Sequence, residues 1–487
     1  MAELAKRMSA ADAMFLYFEK PQAPLHIGSL GIFEGDIPVE ATIQGVAERM
    51  HLIPRYRQRA AFPPFFSGHP TWEDDPQFSL DRHIRGVSLP APGTQESLLE
   101  LTARIFEEPL PRDRPLWEIT VVRGLEGERT AYINRVHHCM VDGVSGIELL
   151  MALLDLTPNP APPVPPAKEW VPDPYPAPLA SWTDGMLESL NRGVLAFNDA
   201  RRQALDPWGS FRRMTDFTRS LTGVLPSAMR LPSPTIWNRP VSRRRRFAFS
   251  TISFQEVRAI RAALGGTVND VALTVLGGAL GRYLDEHGVR TRGKKLRLMT
   301  PVSVRSDSEQ GDLGNRVSMM LPEVPIGISD VVERLSAVRG EMGRMKSAEQ
   351  GRFFDDIARQ GENAPAAFHA LAGMGGIPAG MVNLVCTNVP GPLIPLYGAG
   401  QRMLGMYPLL PLTGDLGLGV AITSYDKSLY FGIACDPAIV PDVDRISELL
   451  DEEFVTLRDA AGVPASDLPD VGVAPGRTGA ATGVAAS

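Results

Sequence analysis

The sequence predicts an α/β protein of two domains joined by a long connector, and three observations carry that expectation. A chain of 487 residues exceeds one ordinary core, because domains run to about 100–200 residues. Residues 157–182 hold ten prolines, which interrupt both helix and sheet, so the chain divides there. Strand-like alternation and helical periodicity then occur together on both sides of that division.

Before the division, residues 116–123 and 129–137 read as two strands around a turn at 124–128, where Gly127 fits. After His138 the pattern changes. Ile147, Leu150, Met151 and Leu154 fall at helical spacing, and Ser145 with Glu148 has the form of a capping box. Residues 137–143 are therefore expected to turn from strand to helix. Beyond the division, residues 267–284 carry two apolar rows, Val271, Val275, Ala279 and Leu273, Leu276, Leu280, Leu284, as a helix does. Residues 294–305 alternate through Leu296, Leu298, Thr300, Val302 and Val304, as a half-buried strand does. The expected spans are a domain over 1–156, a linker over 157–246, a domain over 247–465 and a disordered tail over 466–487, rich in Gly, Ala and Thr.

Composition excludes several function classes. A hydrophobic fraction of 44% with 22% charged residues is that of a globular chain, neither disordered nor fibrous. A formal charge of −7 argues against a nucleic-acid partner. Charge is uneven, however. Residues 200–246 hold eleven basic residues against Asp206 and Asp216, interleaved with Phe211, Phe217, Leu221, Leu225 and Trp237. That is the pattern of an amphipathic, partly helical linker able to meet an anionic membrane or lipid-droplet surface. No apolar run reaches the roughly 18 residues of a membrane span, and residues 1–19 lack the organisation of a signal peptide. Cys139, Cys386 and Cys435 are odd in number and far apart, which fits neither a disulfide framework nor a thiolate metal site. The expected setting is cytoplasmic, with attachment to the inner membrane or to lipid droplets peripheral.

The strongest chemical signal is His137-His138-Cys139-Met140-Val141-Asp142-Gly143. Adjacent residues at a strand end face opposite ways, so one histidine addresses a cavity and the other packs inside. A neutral imidazole, with an ordinary pKa of about 6.5, is a natural base for a hydroxyl nucleophile near neutral pH. Asp142 either orients that base or anchors the loop to a cation, and Gly143 permits a sharp turn. Neighbouring histidines seldom converge on one ion, and the usual zinc spacings are absent, so no metal is expected. Cys139 has no separate base in view, and cysteine is often merely buried.

These residues carry a resemblance. HHxxxDG is the signature of the acyl-CoA-dependent acyltransferases that include chloramphenicol acetyltransferase and peptide-synthetase condensation domains. Further segments resemble one branch, the bacterial wax ester synthase/acyl-CoA:diacylglycerol acyltransferase family. They are Ser9-Ala10-Ala11-Asp12-Ala13-Met14-Phe15-Leu16, Pro115-Leu116-Trp117-Glu118, Asn269-Asp270, Pro301-Val302-Ser303-Val304-Arg305, Gly314-Asn315, Asn388-Val389-Pro390-Gly391-Pro392, Ser424-Tyr425-Asp426 and Asp436. The resemblance implies two chloramphenicol-acetyltransferase-like domains with a solvent channel between them. It implies that His138 is the general base, that the acceptor oxygen attacks the thioester directly without an acyl-enzyme, and that His137, Asp142 and Gly143 are structural. Arg305 is the expected cationic partner of Asp142.

Asn269, Asp270, Pro115, Leu116 and Trp117 are expected to support the site, although helix capping and a strand start with a core tryptophan explain them more simply. The expected substrates are long-chain acyl-CoA and a diacylglycerol or long-chain alcohol; acyl-CoA is consumed, and no cofactor is expected. Two rivals differ in chemistry: a condensation-type acyltransferase with a carrier-tethered donor, and a non-catalytic lipid-binding protein of the same fold. The pattern from Pro115 to Trp117 with Asn269-Asp270 argues against the first, and activity with free acyl-CoA would settle it. The intact histidine-aspartate motif argues against the second, since binding alone does not need it.

Overall fold

Two sheets, of six and seven strands, organise the chain. The computed structural model describes residues 7–64, 67–141, 153–161, 163–166, 168–174, 232–303, 317–347, 380–468 and 471. In chain order the described elements begin α1 (Ala10–Phe18), β1 (His26–Glu34), α2 (Val39–Arg49), β2 (Gln58–Ala61), β3 (Thr71–Asp74), β4 (Ile84–Ser88), α3 (Gln95–Glu107), β5 (Trp117–Leu125) and β6 (Arg129–His137). They continue with β7 (Arg246–Ser253), α4 (Phe254–Leu264), α5 (Val268–Glu286), β8 (Lys295–Ser303), β9 (Val317–Met320), β10 (Glu323–Pro325) and α6 (Val331–Ser347). The last are β11 (Leu384–Val389), β12 (Tyr397–Gly398), β13 (Gln401–Leu409), β14 (Leu418–Tyr425), β15 (Ser428–Cys435) and α7 (Val443–Ala460).

The first sheet runs β12-β13-β1-β6-β5-β4 and the second β10-β8-β11-β14-β15-β7, with β9 beside β8. Local pattern accounts for the elements read from sequence. The β5–β6 hairpin, the helix α5 with its Thr267 cap and the strand β8 lie where periodicity puts them. Helix α5 is apolar almost all round, and a helix of that kind has to be enclosed. Val271 through Leu284 are accordingly buried, apart from Arg282, in the core of the second sheet. Among the described residues no single helix is long and apolar enough to cross a membrane.

The expected boundary at residue 247 does not separate the sheets. Strands β12 and β13, from the C-terminal span, cross to the first sheet, and β13 pairs antiparallel with β1 from Gly28–Leu409 to Phe33–Met403. The second sheet also serves two cores, because alternate strand residues face opposite sides. In β7, Phe247 and Phe249 join the core of the first half, while Ala248 and Ile252 join that of the second. In β15, Tyr430 and Ala434 turn one way and Leu429, Phe431, Ile433 and Cys435 the other. The two halves share a packed seam.

Three linker and tail expectations are corrected. Trp237 is fully buried in the second core and donates its Nε1–H to Asn383 O at 3.0 Å, so residues 232–246 belong to the C-terminal body. A large apolar ring whose polar edge finds an acceptor favours burial over a solvated linker face. The expected tail starts in contact with the fold: Ser466 donates from its N–H to Glu256 Oε1 at 2.7 Å, and Val471 is buried. Three of the four arginines 243–246 have partners within the fold, whereas Arg244 is largely exposed. Arg243 Nε donates to Glu107 O at 2.9 Å, Arg245 is buried with Nη2 on Gln22 O at 2.9 Å, and Arg246 pairs with Asp444. The rest of the basic segment, 201–231, lies outside the described residues.

Candidate active site

The two motif histidines sit at the junction where β6 ends at His137 and a single 3₁₀ turn, His138–Met140, begins. Their surroundings differ. His137 is buried; its Nδ1 accepts the Cys139 N–H at 3.2 Å and caps the turn. With Nδ1 accepting, the proton of the neutral ring is on Nε2, which lies 3.3 Å from Glu19 Oε1. His138 has its N–H on Leu25 O at 2.9 Å. Its ring stacks on Phe15, with centroids 3.9 Å apart and planes 7° from parallel. The two neighbouring histidines thus stand in different surroundings, one buried and one half-buried.

Helix α1 supplies the platform. Ser9 caps it, its Oγ accepting the Asp12 N–H at 3.1 Å, which explains the spacing of Ser9 and Asp12 in the opening motif. Phe15 follows within the helix and Glu19 stands four residues on at its C-cap, so both reach the His137–His138 turn. Burial opposes ionisation of Glu19, but His137, Arg112 and the Leu25 N–H outweigh it and hold the carboxyl down to about 2.

Pro115, Leu116 and Trp117 act on the same junction from β5. Leu116 O accepts the His137 N–H at 2.9 Å, and the Leu116 side chain packs with Leu16 and Cys139. Pro115 O accepts the Trp117 N–H at 3.0 Å. Trp117 is a core residue stacked on His83 at 4.5 Å, its Nε1–H on Tyr56 O at 2.8 Å. Glu118 takes buried Arg135 on Oε2, at 3.2 Å from Nε and 2.6 Å from Nη2. The same guanidinium donates to Ile105 O and Glu108 O, both at 2.6 Å, and so ties the end of α3 to the strand that carries the histidines. His26, the partner of His137 in the β1–β6 ladder, is buried with its ring edge-on to Phe106. Burial, with the charge of Arg135, pushes it down to about 3. Cys139 is buried, which raises its thiol well above the ordinary range, so it is no ready nucleophile.

Asn269 and Asp270 separate in role. Asp270 completes a capping box, its Oδ2 accepting the Thr267 N–H at 2.8 Å while its own N–H reaches Thr267 Oγ1 at 3.2 Å. Asn269 instead accepts at Oδ1 from Asn388 Nδ2 at 3.0 Å, joining the start of α5 to the end of β11. The turn after Asn388 is fastened by the Ser424 motif: Gly391 N–H donates to Ser424 Oγ at 3.0 Å, and Asp426 N–H to Pro392 O at 2.9 Å. A Cβ at Gly391 would lie 2.1 Å from Ser424 O, so only glycine fits. Asp436 accepts the Ala438 N–H at 2.9 Å and the Ser242 N–H at 2.5 Å. Asp142, Gly143 and Arg305 lie outside the described residues, as do Ser145, Glu148, Gly314 and Asn315.

Glu19, Arg112 and Leu25 are site residues that no motif pointed to; the spacing of Phe15 and Glu19 on one helix end was the available signal. A cavity of about 710 Å³ lies elsewhere, between α3 and the start of β7. Its arginines and acidic residues largely pair with one another, Arg104 with Glu100 and Arg246 with Asp444, and none of the motif residues above lines it.

Comparison with known proteins shows the family. Residues 8–272 match the wax ester synthase/diacylglycerol acyltransferase catalytic domain, and residues 313–458 match the C-terminal domain of the same family. The chain is 32% identical over 457 residues to a probable diacylglycerol O-acyltransferase of Mycobacterium tuberculosis, covering 92% of this chain and 95% of that one. It is 32% identical over 450 residues to an O-acyltransferase of Acinetobacter baylyi, with 91% and 95% covered. Among solved structures, a wax ester synthase/diacylglycerol acyltransferase from Marinobacter aquaeolei superposes with a TM-score of 0.65 at 24% identity, over 94% of this chain and 100% of that one. The first condensation domain of the calcium-dependent antibiotic synthetase shares the fold, with a TM-score of 0.59 at 16% identity over 96% and 98%. The chain therefore belongs to the wax ester synthase/diacylglycerol acyltransferase family and is an acyltransferase.

Proposed function

We propose that this enzyme moves a long-chain acyl group from acyl-CoA to the hydroxyl of a diacylglycerol, a long-chain alcohol or both, with His138 as general base. The observation that carries the reading is the unequal treatment of two adjacent histidines. His137 is buried, with Nδ1 capping the turn and Nε2 3.3 Å from Glu19 Oε1, whereas the half-buried His138 ring stacks on a flat aromatic face next to a strand end. In the proposed step the imidazole takes the acceptor hydroxyl proton as the oxygen bonds to the thioester carbonyl carbon. The C–S bond then breaks, and the leaving thiolate recovers the proton from the imidazolium. No acyl-enzyme is required. Relatives named as diacylglycerol and O-acyltransferases favour this substrate class over a carrier-tethered donor.

The test is product separation by thin-layer chromatography after labelled palmitoyl-CoA is offered with hexadecanol or dipalmitoylglycerol. Labelled wax ester or triacylglycerol is expected. Hydrolysis alone, or dependence on an acyl carrier protein, contradicts the reading.

An insoluble acceptor has to be taken from a lipid surface, and the proposal places the enzyme there peripherally. Arg243, Arg245 and Arg246 have partners within the fold, so we assign that contact chiefly to the six arginines Arg201, Arg202, Arg212, Arg213, Arg219 and Arg230, with exposed Arg239 and Arg244 beside them. Each basic residue near an anionic surface contributes about 1 kcal/mol. Changing these six to Ser is expected to abolish flotation with anionic vesicles at low salt; unchanged flotation contradicts the assignment.

A further inference from the structure

Glu19 is almost enclosed, its side chain 6% exposed, and a buried carboxylate is costly unless its oxygens are satisfied. Both are. Oε2 accepts from Arg112 Nη2 at 2.8 Å. Oε1 accepts the Leu25 N–H at 3.0 Å and faces His137 Nε2 at 3.3 Å. From Oε1 two paths lead to His138. One runs through the His137 ring, whose Nδ1 holds the N–H of Cys139, the residue just after His138. The other runs through Leu25, whose carbonyl holds the N–H of His138 itself. The helix that delivers Glu19 also lays Phe15 against the His138 ring.

We infer that Glu19 is a positioning residue, which fixes the backbone on either side of His138 and so aims its imidazole; this rests on His138 being the base. The role demands a group that accepts on every side. Leu25 N–H, Arg112 and the Nε2–H of His137 are all donors, and only a carboxylate meets all three. Glutamine has one acceptor oxygen, and its amide hydrogens would face either Arg112 or the His137–Leu25 pair, donor against donor. Aspartate keeps the charge but falls short of one partner. Misplacement of a catalytic group by about 1 Å can cost about a hundredfold in rate, so the small rearrangement that glutamine forces is read in turnover.

The experiment measures kcat and KM of the full-length enzyme with palmitoyl-CoA and whichever of hexadecanol and dipalmitoylglycerol it esterifies. Glu19→Gln is expected to lower kcat about tenfold or more with KM for palmitoyl-CoA within about twofold, because an aimed base contributes to the transition state and little to binding. In a His138→Ala background the same substitution is expected to change the residual rate by less than about twofold, since groups acting through one residue are not additive. A normal kcat in Glu19→Gln, or an equal loss with and without His138, overturns the assignment. If Glu19→Gln does not fold, Arg112→Met removes the outer support of Glu19 together with a hydrogen bond to Leu16 O; its kcat is expected to fall about threefold in the presence of His138 only, and an unchanged kcat overturns the assignment. The two readings fail separately. Loss of activity in His138→Ala with a normal Glu19→Gln removes the role of Glu19 and leaves the base, whereas a fully active His138→Ala removes both.

Discussion

The phenyl ring of Phe15 lies parallel to the imidazole of His138, with their centroids 3.9 Å apart. The first belongs to a capped helix at the start of the chain and the second to a strand-end turn, so the stack joins two motifs that are distant in sequence. Ring stacking of this kind is worth about 0.5–1.5 kcal/mol. Phe15→Leu keeps the apolar volume but loses the flat face. It is expected to lower kcat about three- to tenfold, with thermal stability little changed. A steady-state assay at saturating donor and acceptor checks this, and an unchanged kcat means the ring is mere packing.

A second link between motifs is the Asn269–Asn388 hydrogen bond at 3.0 Å. Both residues are half-buried, and a neutral bond of this type contributes about 0.5–1.5 kcal/mol net. Asn269→Ala and Asn388→Ala are each expected to destabilise the protein, and the double variant by less than their sum. Urea unfolding of the four proteins measures the coupling. Additive losses would mean that the two side chains act independently.

The pH dependence of stability follows from His26. Its folded pKa is depressed from 6.5 to about 3, chiefly by burial, so the folded state refuses a proton that the unfolded chain accepts. The stabilisation is therefore complete above about pH 6.5 and is lost as pH falls toward 3, at about 1.4 kcal/mol per unit. Glu19 is also depressed, from 4.5 to about 2, and its contribution is lost only below about 4.5. Between these windows His26 acts without Glu19. His26→Gln is expected to be less stable at neutral pH but to lose less of its stability between about pH 6.5 and 4.5. Parallel decline of the two proteins in urea unfolding would place the acid sensitivity elsewhere.

What was legible in the sequence follows the range of the interactions. The β5–β6 hairpin and the helix capped by Thr267 depend on neighbours a few residues apart, and periodicity located them closely. The different surroundings of His137 and His138 followed from the alternation of a strand. The crossing of β12 and β13 to the first sheet was not legible, because nothing local marks which sheet edge a strand joins. Nor was Glu19, because its partners come from three separate segments. Trp237 and Arg245 misled in a different way. Composition put them on an amphipathic linker, but Asn383 O and Gln22 O offered their polar groups acceptors inside the fold.

The base assignment is tested most directly by His138→Ala beside His137→Ala. General-base catalysis contributes about 10²- to 10⁴-fold. His138→Ala is therefore expected to lower kcat by that factor, with an unfolding transition close to that of the unmodified enzyme. His137→Ala removes the cap on Cys139 and the partner of Glu19, and is expected to act mainly through stability. The decisive measurement is kcat of folded His138→Ala with palmitoyl-CoA and acceptor both saturating: a loss of about a hundredfold or more is the result the account predicts, and turnover near that of the unmodified enzyme would contradict it.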